Sequence, residues 1–284
     1  MKYQWKEKAM QGVFAVAAGM CIVATVLICV FLFANGLPFF KEVDALKFLS
    51  GEKWKPTNEI FGIFPMILGS IYVTAGALLV GAPLAIMCAI YLVRFCPKNV
   101  YRILKPAIAL LAGIPSVVYG FFGLMILVPF VRETFGGNGN SMLTASLLLA
   151  MMILPTIIQV AESAIRAVPE SYYEGSLALG ATKEISVFKV VLPAAKSGIL
   201  AAIVLGVGRA IGETMAVMMV AGNQARMPAG ILKGVRTLTT NIVMEMGYAA
   251  DLHRDALIAT GVVLFVFILL INMLFSVLNR RKVQ

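Results

Sequence analysis

The chain has 284 residues, of which 60% are hydrophobic and only 13% are charged, and its mean hydropathy is +0.91. An ordinary soluble domain is about 45–50% apolar and about 25% charged, so this composition excludes a water-soluble domain of this size and predicts an integral membrane protein. The formal net charge is +10, but no basic helix or aromatic-basic platform accompanies it, which argues against nucleic-acid binding.

Six apolar stretches have the length of about 20 residues that a membrane-spanning helix needs. They lie at 10–34, 64–93, 108–131, 142–161, 198–222 and 256–278. The first is too long for the apolar core of a signal peptide and no cleavage site follows it, so we expect an uncleaved helix. The sequence therefore predicts an all-α fold with six transmembrane helices, divided into a first helix with its external loop (1–63) and five further helices (64–284).

Lysine and arginine predict the orientation of these helices, because they concentrate on the cytoplasmic side of a membrane. They are more numerous at the two ends of the chain and after the second and fourth stretches than in the alternate loops. We therefore expect both termini in the cytoplasm. The opposite loops are expected to hold a tight glycine-rich turn at 136–140 and a surface helix near 233–246.

The third stretch carries Gly113-Ile-Pro115-Ser116-Val-Val-Tyr119-Gly120 in its first half. Proline removes a backbone donor, so we expect Pro115 to kink this helix. At such a kink Ser116 or a nearby carbonyl can face a cavity. The alternative is a kinked helix that serves packing alone.

The segment after the fourth stretch carries more helix-capping signals than a simple connecting loop needs. Ser171 followed by Glu174 matches a capping box, and Gly180 suits a left-handed helix end, so a short helix is expected from about Tyr172. Thr182 is placed to cap a second short helix, and Pro193 lies near the start of the fifth stretch. These helices are expected to lie against another protein, or alternatively on the lipid headgroups.

The same segment resembles the EAA loop of type I permeases in binding-protein-dependent ABC importers. That family pattern is E-A-A-x-x-x-G, nine residues, then I-x-L-P. The chain keeps four of its positions at the family spacing: Glu174, Gly180, Leu192 and Pro193. It departs at Gly175 and Ser176, which replace two alanines, and at Val190, which replaces isoleucine.

The EAA resemblance implies a MetI-like permease fold whose loop helix docks on a cytoplasmic ATPase. Closure of two ATPases on ATP would then drag the helix and rock the spanning helices between inward-open and outward-open states. The chain contains no G-x-x-x-x-G-K-[ST] phosphate loop. ATP hydrolysis is therefore expected on partner subunits, and the chain by itself is not expected to be an enzyme.

The fifth stretch places Arg209 and Glu213 within the membrane, where a charge costs about 2.5–3.5 kcal/mol. Arg209 is expected roughly 16 Å from the helix start, near the bilayer midplane. Spacing of i and i+4 on one helix predicts that the two side chains pair. Either the pair orients helix packing, with Gly208 and Gly212 at a close contact, or Arg209 presents its planar fork to an oxyanion.

The pair Glu162 and Arg166 has the same spacing near the cytoplasmic end of the fourth stretch, where snorkelling to the interface explains it. His253 has no partner motif and is expected in a loop. None of the four cysteines has metal-ligand spacing, so neither a metal nor another cofactor is expected.

The sequences Gly-Ile-Pro-Ser-Val-Val-Tyr-Gly (113–120) and Arg-Ala-Ile-Gly-Glu-Thr (209–214) resemble phosphate permeases of the PstC/PstA family, and other segments lean toward PstC. The resemblance implies a bacterial cell-membrane importer in which Arg209, Glu213, Thr214 and Ser116 lie along the phosphate pathway. It also implies four kinds of partner: a second, PstA-like permease, two PstB-like ATPases, an external PstS-like phosphate-binding protein and membrane lipid.

Two alternatives stay open. An arginine does not by itself distinguish phosphate from sulfate or molybdate, so the first alternative is an importer for another oxyanion. An ion-coupled secondary transporter or channel would need no docking loop and commonly shows inverted repeats, which the residues do not display. A membrane-embedded enzyme is disfavoured because no cluster of histidine, cysteine or carboxylate residues is fit for catalysis.

Overall fold

A computed structural model describes residues 2–280 of the chain, and most of them are helical. Five helical segments are long and apolar enough to cross a membrane: Met10–Glu42, Phe64–Phe95, Ser116–Phe135, Met142–Arg166 and Asp251–Leu274. A sixth is reached when Lys183–Ala194 and Lys196–Gly212, which meet at 70°, are taken as one bent span. The predicted all-α membrane fold is confirmed, with the sixth span present in bent form. The basic tail beyond residue 280 lies outside the described residues.

Along the chain, long helices alternate with short helical pieces. The helices, in chain order, are α1 (Lys2–Gly36), α2 (Phe39–Glu42), α3 (Ala45–Ser50), α4 (Phe64–Ile90), α5 (Lys98–Gly113), α6 (Ser116–Phe122), α7 (Val128–Phe135), α8 (Met142–Arg166), α9 (Glu170–Ala178), α10 (Lys183–Ser186), α11 (Leu192–Ala194), α12 (Lys196–Gly212), α13 (Met215–Val220), α14 (Leu238–Glu245) and α15 (Asp251–Arg280). Wider π-helical turns continue α4, α6 and α10 at Tyr91–Phe95, Gly123–Leu127 and Val187–Val191. A two-stranded antiparallel hairpin pairs β1 (Trp54–Lys55) with β2 (Ile60–Phe61) around the 3-10 turn Pro56–Asn58.

The centre of the molecule is the pair α4 and α8, against which α12 packs. Small residues allow the close approach: a Cβ added to Gly76 would lie 2.5 Å from the Ser146 hydroxyl, and one added to Gly81 would lie 3.0 Å from the Ala150 carbonyl. The Ser146 hydroxyl also donates to the Val73 carbonyl at 3.2 Å. Small side chains and interhelical hydrogen bonds hold helices together where lipid removes the hydrophobic driving force.

Helix α1 stands apart from this centre and packs mainly along α15. Phe33 and Phe265 make an edge-to-face contact with ring centroids 5.7 Å apart. Most of the apolar surface of α1 is exposed in the single chain. For a spanning helix that surface faces lipid or another subunit, because lipid tails accept apolar side chains as readily as a protein core does.

The third predicted span begins later than the sequence indicated. Residues 108–113 belong to α5, a separate helix without a fully buried residue, and the span starts at Ser116. Pro115 does not kink a continuous helix; it ends α5 by forcing Ile114 into an extended conformation, with φ −69° and ψ 127°. The residue before a proline is excluded from the helical region by contact with the proline ring, which explains the break.

The fifth span of the structure is bent once and broken once. It bends at Ala195, so Pro193 lies in the preceding α11 rather than in the first turn of the span. It then breaks at Glu213 and Thr214, where Glu213 adopts an extended conformation, before continuing as α13. The prediction of one continuous helix over 198–222 was therefore wrong at Glu213 and Thr214, whereas the bend at Ala195 lies before that range.

Residues 37–63 form a small folded cap rather than a simple loop. Phe39, Phe48, Trp54 and Phe61 form its aromatic cluster and are all buried. The turn at 136–140 is present, with positive φ at three of its glycines. The predicted outer helix is present as α14, but Leu238 and Asn241 in it are buried, so it is not the surface helix expected from the sequence.

Candidate functional site

The break in the fifth span is the centre of the candidate site. Helix α12 ends at Gly212, and Arg209 lies thirteen residues after its start, roughly 20 Å along the helix. The Arg209 side chain is exposed in the single chain, whereas the neighbouring Ala210 is buried against the core. The charged group therefore points away from the helix bundle, from a position well inside the span.

The carboxylate of Glu213 does not pair with Arg209. Its Oε1 accepts the backbone N–H groups of Thr214 and Ala216, at 3.1 and 3.2 Å, and so satisfies the free donors at the start of α13. Among residues 2–280 no ion pair joins Arg209 to any carboxylate. The i,i+4 prediction failed because the helix stops between the two residues, which turns Glu213 to the next helix.

Other contacts fix the geometry of this break. Thr239 at the start of α14 donates its hydroxyl to the Glu213 carbonyl at 3.1 Å. The Thr214 hydroxyl donates to the Gly212 carbonyl at 3.2 Å. The Gly212 and Glu213 carbonyls at the break are thus satisfied by side chains, as non-helical backbone at membrane depth requires.

Ser116 begins α6, the half-helix that packs on α13. A Cβ added to Gly120 of α6 would lie 3.1 Å from the Cα of Ala216, so the two backbones are in close contact. Across the break at Pro115, the Tyr119 hydroxyl donates to the Leu111 carbonyl at 3.0 Å. The breaks before Ser116 and before α13 therefore belong to two half-helices held side by side.

The glycines that the sequence assigned to helix packing are not at a contact. Added Cβ atoms at Gly208 and Gly212 would meet nothing within 4 Å in the described chain. Gly206 makes the close contact instead, because a Cβ there would lie 2.7 Å from Ile157 of α8. The face of α12 that carries Arg209 and the two open glycines is left free for another subunit or for a pathway.

The loop helix predicted from the EAA resemblance is α9. It begins at Glu170, one residue before Ser171, so the predicted capping box does not form. Gly180 has φ +87° and ends the helix in the left-handed region, as expected. Glu174 and Gly175 are exposed, and Leu179 is 91% exposed, so one face of α9 is open.

The second half of the loop is held against α9. Ser176 accepts a hydrogen bond from the Ser186 hydroxyl at 3.0 Å. Thr182 caps α10 by accepting the Ile185 N–H at 3.4 Å, which confirms that prediction. Glu184 lies in the first turn of α10, where the helix dipole favours a negative charge. Leu192 and Pro193 follow in α11.

Two contacts of Arg94 at this end of the molecule were not predicted. Arg94 in the turn after α4 donates from Nη1 to both carboxylate oxygens of Glu170, at 2.9 Å each. The Arg94 guanidinium carbon also lies 4.8 Å from the centre of the Tyr173 ring. Glu170 and Arg94 are 76 residues apart in the sequence, so no local pattern indicates the contact.

Glu162 is a buried hub rather than a snorkelling residue. It is 4% exposed, and its Oε1 accepts the Tyr101 hydroxyl at 2.7 Å, Lys105 Nζ at 3.3 Å and Arg166 Nε at 3.0 Å. The interfacial interpretation of Glu162 was therefore wrong. A cavity of about 310 Å³ adjoins the hub; its lining is Lys105, Ile108, Ala109, Gln159, Glu162 and Ser163.

A second buried carboxylate organises the cap around Trp54. Glu245 accepts Trp54 Nε1 at 2.8 Å, pairs with Arg236 and lies 2.9 Å from His253 Nε2. His253 lies in α15, so its expected placement in a loop was wrong. Arg236 also donates to Asn241 at 3.0 Å, which ties the cap to α14.

Replacing Glu245 with alanine is expected to destabilise the purified protein by about 3 kcal/mol, because the Arg236 charge, only 14% exposed, is left without its carboxylate. The measurement is the midpoint of thermal unfolding in detergent. Glu133→Ala removes an exposed carboxylate from α7 and serves as the control. Equal midpoints for the two variants would contradict a stabilising role for Glu245.

Known proteins resemble this chain in both sequence and fold. Residues 81–284 match the family model described as "Binding-protein-dependent transport system inner membrane component". The chain is 42% identical over 273 residues to the probable ABC transporter permease protein YqgH of Bacillus subtilis (strain 168), with 92% of this chain and 87% of that protein covered. It is 36% identical over 245 residues to the phosphate transport system permease protein PstC of Mesorhizobium japonicum, with 79% and 75% covered.

Solved structures share the fold at low sequence identity. A chain of the MetNI methionine ABC transporter in inward-facing conformations superposes with a TM-score of 0.58 at 21% identity, covering 78% of this chain and 94% of that one. A chain of a bacterial alginate ABC transporter, solved in complex with an alginate-bound periplasmic protein, superposes with a TM-score of 0.64 at 16% identity and 94% coverage of both.

Proposed function

Because the chain belongs to the family of binding-protein-dependent transport system inner membrane components, we propose that it is the PstC-type permease subunit of an ATP-driven phosphate importer. The observation that carries the proposal is the 36% identity to a PstC protein across 79% of the chain. A second PstC protein, from Pasteurella multocida, is 34% identical over 77% of the chain. Phosphate is therefore favoured over sulfate or molybdate, and family membership disfavours an ion-coupled secondary transporter.

ABC importer permeases work in complexes, and the shape of this chain fits that requirement. The open faces of α1, α9 and α12 are surfaces that a single chain leaves uncovered. We assign α9 to a PstB-like ATPase, the outer cap to a PstS-like binding protein, and the α12 face to a PstA-like second permease. In this division residues 64–284, with the coupling segment 169–193, carry the permease function, and residues 1–63 add one helix and part of the cap.

The position of Arg209 supports a role in anion passage. A guanidinium roughly 20 Å into a spanning segment is costly in contact with lipid, so its exposed surface belongs in a pathway or at a subunit interface. Its planar fork matches two oxygens of a phosphate group. Thr214 and Ser116, at the starts of the two adjoining half-helices, are assigned to the same pathway.

We assign Glu213 a positioning role that differs from the expected ion pair. Its carboxylate caps α13 and its carbonyl is held by Thr239, so it sets the break just after Arg209. The guanidinium then has its full charge available for a passing anion, because no carboxylate among the described residues neutralises it. Glu213 is therefore expected to affect anion passage indirectly, by fixing the backbone that positions Arg209.

The chain is an inner-membrane permease, and we propose that both of its termini face the cytoplasm. The excess of lysine and arginine in the corresponding segments supports this orientation. It places α9 on the side where an ATPase obtains ATP. Docking of the ATPase on α9 requires the orientation, so an α9 that is accessible only from outside the cell would refute both.

Deletion of this chain is expected to abolish uptake of radiolabelled phosphate at low external concentration, and a plasmid copy is expected to restore it. Uptake of labelled sulfate, measured in the same cells, should stay unchanged. The discriminating comparison is the initial rate for each anion with and without the plasmid. Loss of sulfate uptake with normal phosphate uptake would replace phosphate by another oxyanion.

A further inference from the structure

We propose that Arg94 is the positioning residue that fastens α9 to the inner end of α4, so that a displacement of α9 is passed to α4 and onward to α5. The proposal rests on the proposed function in one respect, namely that an ATPase is what displaces α9. The connection itself is carried by contacts within this chain. It concerns a residue outside the EAA segment and outside the pathway around Arg209.

Arg94 grips two residues of α9 at once. The single nitrogen Nη1 lies 2.9 Å from each carboxylate oxygen of Glu170, and the guanidinium plane rests on the Tyr173 ring at 4.8 Å. Glu170 and Tyr173 are three residues apart and so share one face of the helix. The Arg94 side chain is 9% exposed, which limits the screening of both contacts by water.

The opposite face of α9 is free to bind a partner. Gly175 and Leu179 are exposed, so a protein docked there would hold the side of α9 that Arg94 does not touch. Helix α9 thus has one face for an external partner and one face fastened to the membrane domain. A force applied to the first face is delivered through the second.

Arg94 is also close in the chain to the next helix, α5. Arg94 lies in the last turn of the second span, and α5 begins four residues later at Lys98. Tyr101 and Lys105, one turn apart on α5, both donate to Glu162 of α8. Since Glu162 is buried, this contact provides a fixed point against which α5 can turn.

Helix α5 then leads to the candidate pathway. It ends at Gly113, and Pro115 separates it from Ser116 at the start of α6. Helix α6 packs on α13, which begins just after the break beside Arg209. A chain of packed contacts therefore runs from α9 through Arg94, α5 and α6 to the region of Arg209, and Arg94 is its first link.

The test is the ratio of phosphate transported to ATP hydrolysed in proteoliposomes that contain the complete complex. Arg94→Gln is expected to leave ATPase binding and hydrolysis in place while the ratio falls about tenfold, within the range typical of coupling free energies. Arg94→Lys keeps the charge but not the flat contact with Tyr173, so an intermediate ratio is expected. The exchange of Arg94→Glu with Glu170→Arg is expected to recover part of the loss.

Two further variants keep the outcome decisive. Glu170→Gln removes the same contact from the more exposed partner, 57% exposed, and should lower the ratio even if Arg94→Gln prevents assembly. Arg102→Gln changes an exposed arginine of α5 and should leave the ratio unchanged. The proposal is overturned if Glu170→Gln keeps a wild-type ratio, or if Arg102→Gln lowers it equally.

Failure of the proposed function would give results that differ from failure of the role proposed for Arg94. If the wild-type complex carried sulfate and not phosphate, the proposed substrate would be wrong. The ratio of anion transported to ATP hydrolysed, measured with sulfate, would still compare Arg94→Gln with the wild type. If the wild-type chain bound no ATPase at all, both the function and the role of Arg94 would be refuted, and the binding measurement alone would show it.

Discussion

Replacing Arg209 with glutamine is expected to lower phosphate uptake by about a hundredfold or more while the complex still assembles. The Arg209 side chain is exposed and has no carboxylate partner among residues 2–280, so its removal leaves no opposite charge buried alone. Glutamine keeps much of the length and hydrogen bonding but loses the charge that stabilises a passing anion. Initial uptake of labelled phosphate and co-purification of the partners measure the two effects separately.

Two further arginine variants sharpen that experiment. Arg132→Gln removes an exposed charge from α7 and is expected to leave uptake normal. Arg209→Lys keeps a charge without the planar fork, so uptake should fall less than with glutamine. Normal uptake by Arg209→Gln would show that anion passage does not use this side chain, and a loss shared equally with Arg132→Gln would show only a general dependence on basic charge.

The positions of the membrane-spanning segments were predictable because they follow from hydrophobic composition. The second and fourth stretches match α4 and α8 closely at their starts, Phe64 and Met142, since long apolar runs have few other solutions in a bilayer. The end of α9 was predictable for a local reason, because Gly180 occupies a left-handed conformation that few other residues adopt.

The two breaks near the candidate site show where that reasoning ends. The length and hydrophobicity of an apolar stretch do not report where its backbone breaks. The stretches 108–131 and 198–222 were therefore predicted as continuous helices. Pro115 was a signal of the first break that was interpreted as a kink. The second break at Glu213 has no proline, and the carboxylate that caps α13 was assigned instead to Arg209 by a rule that assumes an unbroken helix.

The ionic hubs could not be predicted for a different reason. Trp54 and Glu245 are 191 residues apart, and Tyr101 and Glu162 are 61 apart. Each carboxylate takes its partners from several helices, so the contact exists only once those helices are packed. A buried glutamate in an amphipathic segment has the same local sequence as an exposed one, and only the tertiary fold distinguishes them.

Replacing Gly175 with tryptophan is expected to abolish binding of the ATPase and, with it, all ATP-driven uptake. Gly175 lies on the open face of α9, and a Cβ added there meets nothing within 4 Å, so a side chain at this position starts in open space. It would then occupy the space of a docked partner. Gly247→Trp is the matched control for ATPase binding, because Gly247 is equally open but lies between α14 and α15 rather than on α9, and ATPase binding should survive it.

The Gly175 and Arg94 variants together separate two roles of α9. If the exposed face docks the ATPase and the opposite face is held by Arg94, Gly175→Trp is expected to lose the ATPase. Arg94→Gln is expected to retain the ATPase and to hydrolyse ATP with less transport. Leu179, 91% exposed beside Gly175, is the largest apolar contact that such a docked partner would cover. Normal co-purification of the ATPase with Gly175→Trp would remove α9 as the docking site, and transmission through Arg94 would then have no force to transmit.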